Sequence, residues 1–226
     1  MAREQQRSSF RDNPFLSFAP WILFWVIAGP STWEVACVSA LIAAVLLLVL
    51  DIEPPDISER LVDAASGVHG SDRTRFRLRA PKTLDVGTVL FFALFSILGA
   101  FLGRSDLIQL EHYSQAIGSA GLALIVLTSL AVGHPFTEQY AREKTPEEYW
   151  HTPTFRRTNN IITAVWGLIF VVSAVLGFIA ARSSSNSLHD WFYWYIPIIL
   201  LVLGFRFTAW YPAQVHARME ALHRQP

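Results

Sequence analysis

The chain has one cysteine, Cys37, and no net charge. A lone thiol forms no intramolecular disulfide and builds no cysteine-rich metal site, so Cys37, inside an apolar run, reads as a packed side chain. With 18 basic and 18 acidic residues there is no global attraction for a polyanion, and no nucleic-acid partner is expected. The signatures of several enzyme classes are missing too: there is no G-x-S-x-G, no H-E-x-x-H, no phosphate-binding glycine-rich loop and no C-x-x-C. The apolar runs hold no acid deep within them, which removes the usual proton carrier of a coupled transporter. Seven histidines raise the question of haem, but His69, His112, His134, His151, His189, His216 and His223 all lie at or beyond the edges of those runs. A bis-histidine haem in a bilayer needs imidazoles inside facing helices. No cofactor and no metal are expected, and the balance is against an enzyme.

What the chain has in quantity is apolar side chain. It is 52% hydrophobic with a mean hydropathy of +0.34, and its 8 Trp and 16 Phe exceed what one soluble core of 226 residues needs. Roughly 20 mostly apolar residues cross a ~30 Å hydrocarbon layer, and about 17 suffice when the ends are interfacial. Six runs are candidates, near 15–30, 33–50, 86–103, 114–133, 160–181 and 191–211, the first of them short. The expected fold is a single all-α domain, 1–226, a polytopic membrane bundle of six transmembrane helices in three hairpins. Pro20 either kinks the first run or marks its start. Arg3, Arg7 and Arg11 ahead of that run resemble the start of a signal peptide, but no small-residue cleavage site follows and a second apolar run comes after only "PST". A retained hairpin is expected.

Charge gives the orientation. With six spans, all of the 18 Lys and Arg except Arg104, Arg182 and Arg206 fall on one side. The positive-inside rule makes that side cytoplasmic, with both termini and the loops 51–85 and 134–159 on it, in a bacterial inner membrane. The hairpin spacing suggests an internal repeat, supported by "HPFTEQYARE" after the fourth run and "YPAQVHARME" after the sixth, each a ring and a proline followed by an exit helix.

The connector "PFTEQYAREKTPEEYWHTPTFRRTNNIITAVWG" is the most polar stretch between two apolar runs. Phe136 and Tyr140 are four apart on one helical face, and Glu138 and Arg142 on another, which predicts a short helix lying on the membrane surface. Farther on, Thr158 is the expected N-cap of the fifth span. Asn160, Thr163 and Gly167 then form a polar, small-residue stripe, the kind that packs helices or contacts a substrate. The candidate binding residues are therefore Glu138, Arg142, His151 and Asn160 at headgroup level, with Thr163 deeper and Arg206 near the end of the last span. Arg206 either snorkels to the headgroups or meets an anionic partner in the bundle. In the loop 51–85, "RTRFRLRAPK" alternates base with apolar or polar residue, so Arg73, Arg75, Arg77, Arg79 and Lys82 are expected at lipid headgroups, unless they pair with the acids of "DIEPPDISERLVD".

From Trp150 to Phe170 the order W-x-x-P-x-F, an asparagine at the start of an apolar run and then "TAVWGLIF" resembles part of the intracellular septation protein A family of bacterial inner-membrane proteins. The resemblance implies a role in envelope or division processes and transfers no active site. The arginine-rich loop and "PFTEQYARE" depart from that pattern. The leading expectation is a scaffold or accessory subunit that binds a membrane-protein partner, or a second copy of itself, through its cytoplasmic connectors, with membrane lipids around it. The alternatives are a small transporter or channel that sets the stripe of span five against Arg206, and a lipid-modifying enzyme at the headgroup-level residues.

Overall fold

The computed structural model describes residues 14–28, 32–51 and 82–223, and the arginines at 73, 75, 77 and 79 lie outside them. Among the described residues the chain is all-helical, with no strand. Two short helices, α1 (Pro14–Ser17) and α2 (Ala19–Ile27), precede α3 (Trp33–Asp51) and α4 (Thr83–Phe101). Then come α5 (Arg104–His112), α6 (Ser114–Ala131), α7 (Phe136–Arg142) and a 3-10 turn at Glu147–Tyr149. The long α8 (Pro153–Arg182), the short α9 (Asn186–Asp190), a π-helical turn (Trp191–Tyr195) and α10 (Ile196–His223) follow.

Among the described residues four helical runs are long and apolar enough to cross a membrane: α4, α6, α8 and the run Asn186–Met219 that joins α9, the π turn and α10. The first two expected spans are helical but shorter. Pro20 sits in the first turn of α2, where its missing N–H costs nothing, so it starts that helix rather than kinking it. The apolar part of α3 is Trp33–Val49. The fifth run is longer than the sequence suggests, because α8 begins at Pro153 rather than near Thr158. Thr152 is its N-cap, accepting from Phe155 N at 3.3 Å, and Pro153 follows at the first helical position. At 30 residues α8 is about 45 Å long, so its ends project past a ~30 Å apolar layer.

Rings fill the interior. Trp21 lies 4.8 Å from both Phe91 and Phe92, and Phe24 packs edge-on to Trp33. Phe18 stacks on Trp166 at 5.3 Å, and Phe205 closes on Trp166 at 4.8 Å. The pair α6 and α8 approaches most closely, with Gly177 set so near α6 that a Cβ would come within 2.8 Å of the Ala116 backbone nitrogen. The outer faces carry exposed Leu90, Leu94, Leu168, Val175, Ile198 and Val202, as lipid contact requires.

The two exit segments differ, which removes the expected parallel between them. After α6, Gly133 adopts φ +80°, His134 N bonds Ser129 O and Gly133 N bonds Leu130 O, a left-handed stop that turns the chain sharply into Pro135 and α7. At the second site α10 runs straight through Pro212 with no such stop, so "YPAQVHARME" is a continuation and not a new helix. Nothing lies within 4 Å of where a Gly133 Cβ would stand, so substitution there is opposed by backbone conformation alone. Gly133→Ala is expected to cost about 1–2 kcal/mol in thermal unfolding of the purified protein, and Gly133→Asn less, because asparagine tolerates the left-handed region.

Candidate functional site

Helix α7 does not lie free on a surface. Phe136, Thr137, Glu138 and Tyr140 are all buried, so the expected face of outward charge is absent. The Schellman-type stop at Gly133 folds α7 back across the ends of α4 and α8, and nearly every polar group on it finds a protein partner. Gln139 accepts from Thr83 N through Oε1 and donates to Thr83 Oγ1 through Nε2, both at 2.7 Å, meeting a backbone donor in the first turn of α4. Tyr140 donates its hydroxyl proton to Ser17 Oγ at 2.7 Å, reaching α1. Thr137 Oγ1 donates to Asn159 O at 3.0 Å and lies 2.7 Å from Thr163 Oγ1, while Ser129 Oγ accepts from Phe136 N at 3.1 Å.

Two ion pairs close the strap. Lys82 Nζ is 3.1 Å from Glu143, with both side chains 6% exposed, and the ammonium also sits 4.5 Å over the Tyr140 ring. Lys82 is therefore not a headgroup contact as its place in the basic run suggested. Burial selects this pairing, since a lone desolvated ammonium beneath α7 would be far costlier than one matched to a carboxylate and a ring face. Glu138 pairs with Arg142 one helical turn away, and the guanidinium lies 5.2 Å over the Trp150 ring. Trp150 in turn donates its indole N–H to Thr145 O at 2.8 Å, which fixes the chain between α7 and the 3-10 turn.

The expected headgroup-level group is only half assembled. Glu138 and Arg142 meet, but His151 and Asn160 are exposed, and no side-chain hydrogen bond or ion pair joins either to that pair. The inward asparagine is Asn159, 3% exposed, which donates through Nδ2 to Phe155 O at 2.9 Å. Asn159 rather than Asn160 falls on the buried line of α8, with Thr163, Trp166, Phe170, Ser173 and Gly177 following at spacings of four and three. Thr163 is fully buried as expected, but its hydroxyl is engaged by Thr137. Arg206 is exposed on α10, whereas Thr163 is fully buried. At the opposite end His112 contacts Ala181 O and His189 stacks on Tyr193, so the two histidines are separately engaged.

Gln139, Asn159 and the Lys82–Glu143 pair are the members that sequence reasoning missed. "GHP" marked a sharp turn before α7, and a helix turned back on its bundle buries polar groups that a surface helix would leave wet. The architecture is that of a multi-span helical membrane protein. No protein-family model, no curated protein and no solved structure matches the chain.

Removing one partner of the buried pair strands the other. Lys82→Met alone is expected to destabilise by about 3–5 kcal/mol in thermal unfolding, and the double variant Lys82→Met/Glu143→Leu to recover most of that loss. Asn159→Ala should cost about 1 kcal/mol by the same measurement and Asn160→Ala less than about 0.5 kcal/mol.

Proposed function

We propose that the chain is a scaffold or accessory subunit of a bacterial inner membrane, crossing it six times in three hairpins with both termini cytoplasmic. It acts through the end that carries α7 and the 3-10 turn, on a membrane-protein partner. One observation carries this reading: the run 144–157 is exposed yet held. Lys144, Glu147, Glu148, Tyr149, His151, Arg156 and Arg157 face outward on a backbone pinned by Arg142 over Trp150, by the Trp150–Thr145 bond and by the Thr152 cap. A charged surface with a half-exposed tyrosine that is already ordered loses little conformational freedom on binding, and tyrosine is a frequent interface anchor. The concentration of basic residues at this end supports its cytoplasmic assignment.

The alternatives have less support. A transporter built on span five and Arg206 needs the stripe to meet that charge, whereas Thr163 bonds Thr137, and Asn160 and Arg206 face outward. A lipid-modifying enzyme at headgroup level needs Glu138 and His151 together, and Glu138 is occupied by Arg142. The resemblance of Trp150–Phe170 to the septation protein A family fits an envelope role for the same end of the molecule.

Purification from native membranes tests the proposal. A stoichiometric membrane-protein partner is expected with the natural chain, and its loss with Glu147→Lys/Glu148→Lys/Tyr149→Ala, whose melting should stay within about 0.5 kcal/mol of the natural chain because all three side chains are exposed. A chain that isolates without a partner, or a partner retained by the triple variant, would overturn it.

A further inference from the structure

Helix α10 lies at the edge of the bundle, packed mainly on α8 and the π turn, and most of its surface faces outward. Exposed rings mark its level in a bilayer. Trp191, Trp194 and Tyr195 stand at one end, and Trp210, 57% exposed, at the other. From Trp191 to Trp210 the chain rises about 28 Å at roughly 1.5 Å per residue, close to the thickness of a hydrocarbon layer between two aromatic belts. Arg206 therefore sits about 6 Å inside the belt at Trp210.

Four side chains recur at every fourth position of this helix: Arg206, Trp210, Gln214 and Arg218. All four are exposed, and none has an ion pair or side-chain hydrogen bond among the described residues. Four residues overshoot a turn by about 40°, so they form a slow spiral about 18 Å long that leads from the apolar layer into water. Each of the four carries an N–H donor. From Ile196 to Arg218 the helix contains no acid, and its neighbour α8 contains none along its whole length. No carboxylate on either helix thus lies within three turns of Arg206. A guanidinium at the edge of hydrocarbon is costly unless it reaches a polar layer, and the nearest one lies toward Trp210.

We propose that this spiral binds an anionic phospholipid of the surrounding leaflet, with the phosphate held by Arg206 and Trp210. A guanidinium grips a phosphate through two parallel N–H bonds, and the indole N–H one turn on supplies a third donor. Gln214, a further turn out, meets a hydroxylated headgroup through its carboxamide, and Arg218 adds positive charge beyond it. A zwitterionic headgroup is disfavoured, because its ammonium would face cations and donors with no carboxylate to receive it. The acyl chains run back along Ile199, Val202 and Leu203, which share that side of the helix and are each more than half exposed.

The probe is a phosphatidylglycerol with a diazirine near the head of one acyl chain, in phosphatidylcholine nanodiscs that hold the full chain, with cross-linked residues mapped by mass spectrometry. Labelling is expected on α10 between Ile199 and Arg206, and unlabelled phosphatidylglycerol should compete for it about tenfold more effectively than phosphatidylethanolamine. Inorganic phosphate in the buffer should not compete. Arg206→Gln should abolish the preference, and Arg206→Lys should restore only part of it, because an ammonium is a point charge without the fork. Both should melt as the natural chain does, since Arg206 is exposed and bonds nothing else among the described residues. Arg182→Gln, which removes one exposed charge from the opposite end of α8, should leave the preference unchanged. Equal competition by phosphatidylethanolamine, a preference that survives Arg206→Gln or falls as far with Arg182→Gln, or displacement by inorganic phosphate would overturn the proposal. So would a protein that co-purifies with the natural chain and is lost with Arg206→Gln, which would place a partner's carboxylate there instead.

Discussion

In an apolar surrounding, a backbone N–H at the start of a helix has no water to bond, and the protein must supply the acceptor itself. The short helices at the two ends of this bundle meet that demand. Glu111 on α5 reaches Trp33 N at 3.1 Å, in the first turn of α3, and Gln139 on α7 reaches Thr83 N in the first turn of α4. Each short helix thus supplies the acceptor that the first turn of a longer neighbour lacks. The same economy governs the buried indoles. Trp21 donates to Thr88 Oγ1 at 2.8 Å and Trp166 to Thr208 Oγ1 at 3.0 Å, and each threonine passes its own proton to the carbonyl one turn back, on Leu84 and Gly204.

Between those polar fixtures the interior is held by shape. Lipid tails are as apolar as leucine, so burying leucine against leucine separates helices from lipid with little gain, and association rests on close packing and hydrogen bonds. Ring against ring at 4.6–6 Å and the glycine contact between α6 and α8 supply the packing. The polar strap supplies direction, because Gln139, Tyr140 and Lys82 can all be satisfied only when α1, α4 and α7 meet in one arrangement.

Much of this is legible in the residues, and the illegible part has physical causes. Long apolar runs reveal helices, and Pro135 reveals the start of α7. The cap of α8 is Thr152 and not Thr158, and Asn159 and Asn160 are both within one turn of Thr163, so spacing to Thr163 alone does not say which of the two faces inward. Lys82 was read with its arginine neighbours because its partner, Glu143, is far along the chain, and no local pattern encodes such a pairing. The charged faces assigned to α7 assumed a helix with one side in water. A strap with partners on every side obeys no single-face periodicity, so its amphipathic reading was bound to fail.

The left-handed stop at Gly133 also sets an order of assembly. Helix α7 engages residues made long before it: Gln139 meets Thr83 across 56 positions and Tyr140 meets Ser17 across 123. During synthesis the amino-terminal segments must therefore wait with Lys82 and the first turn of α4 uncovered until the turn at Gly133 has emerged. Closing so long an interval costs only slightly more chain entropy than closing a short one, because that cost rises with the logarithm of length. Because Thr137 on the same helix also bonds Asn159 O and lies against Thr163 Oγ1 on α8, the strap is complete only when α1, α4 and α8 are all in place.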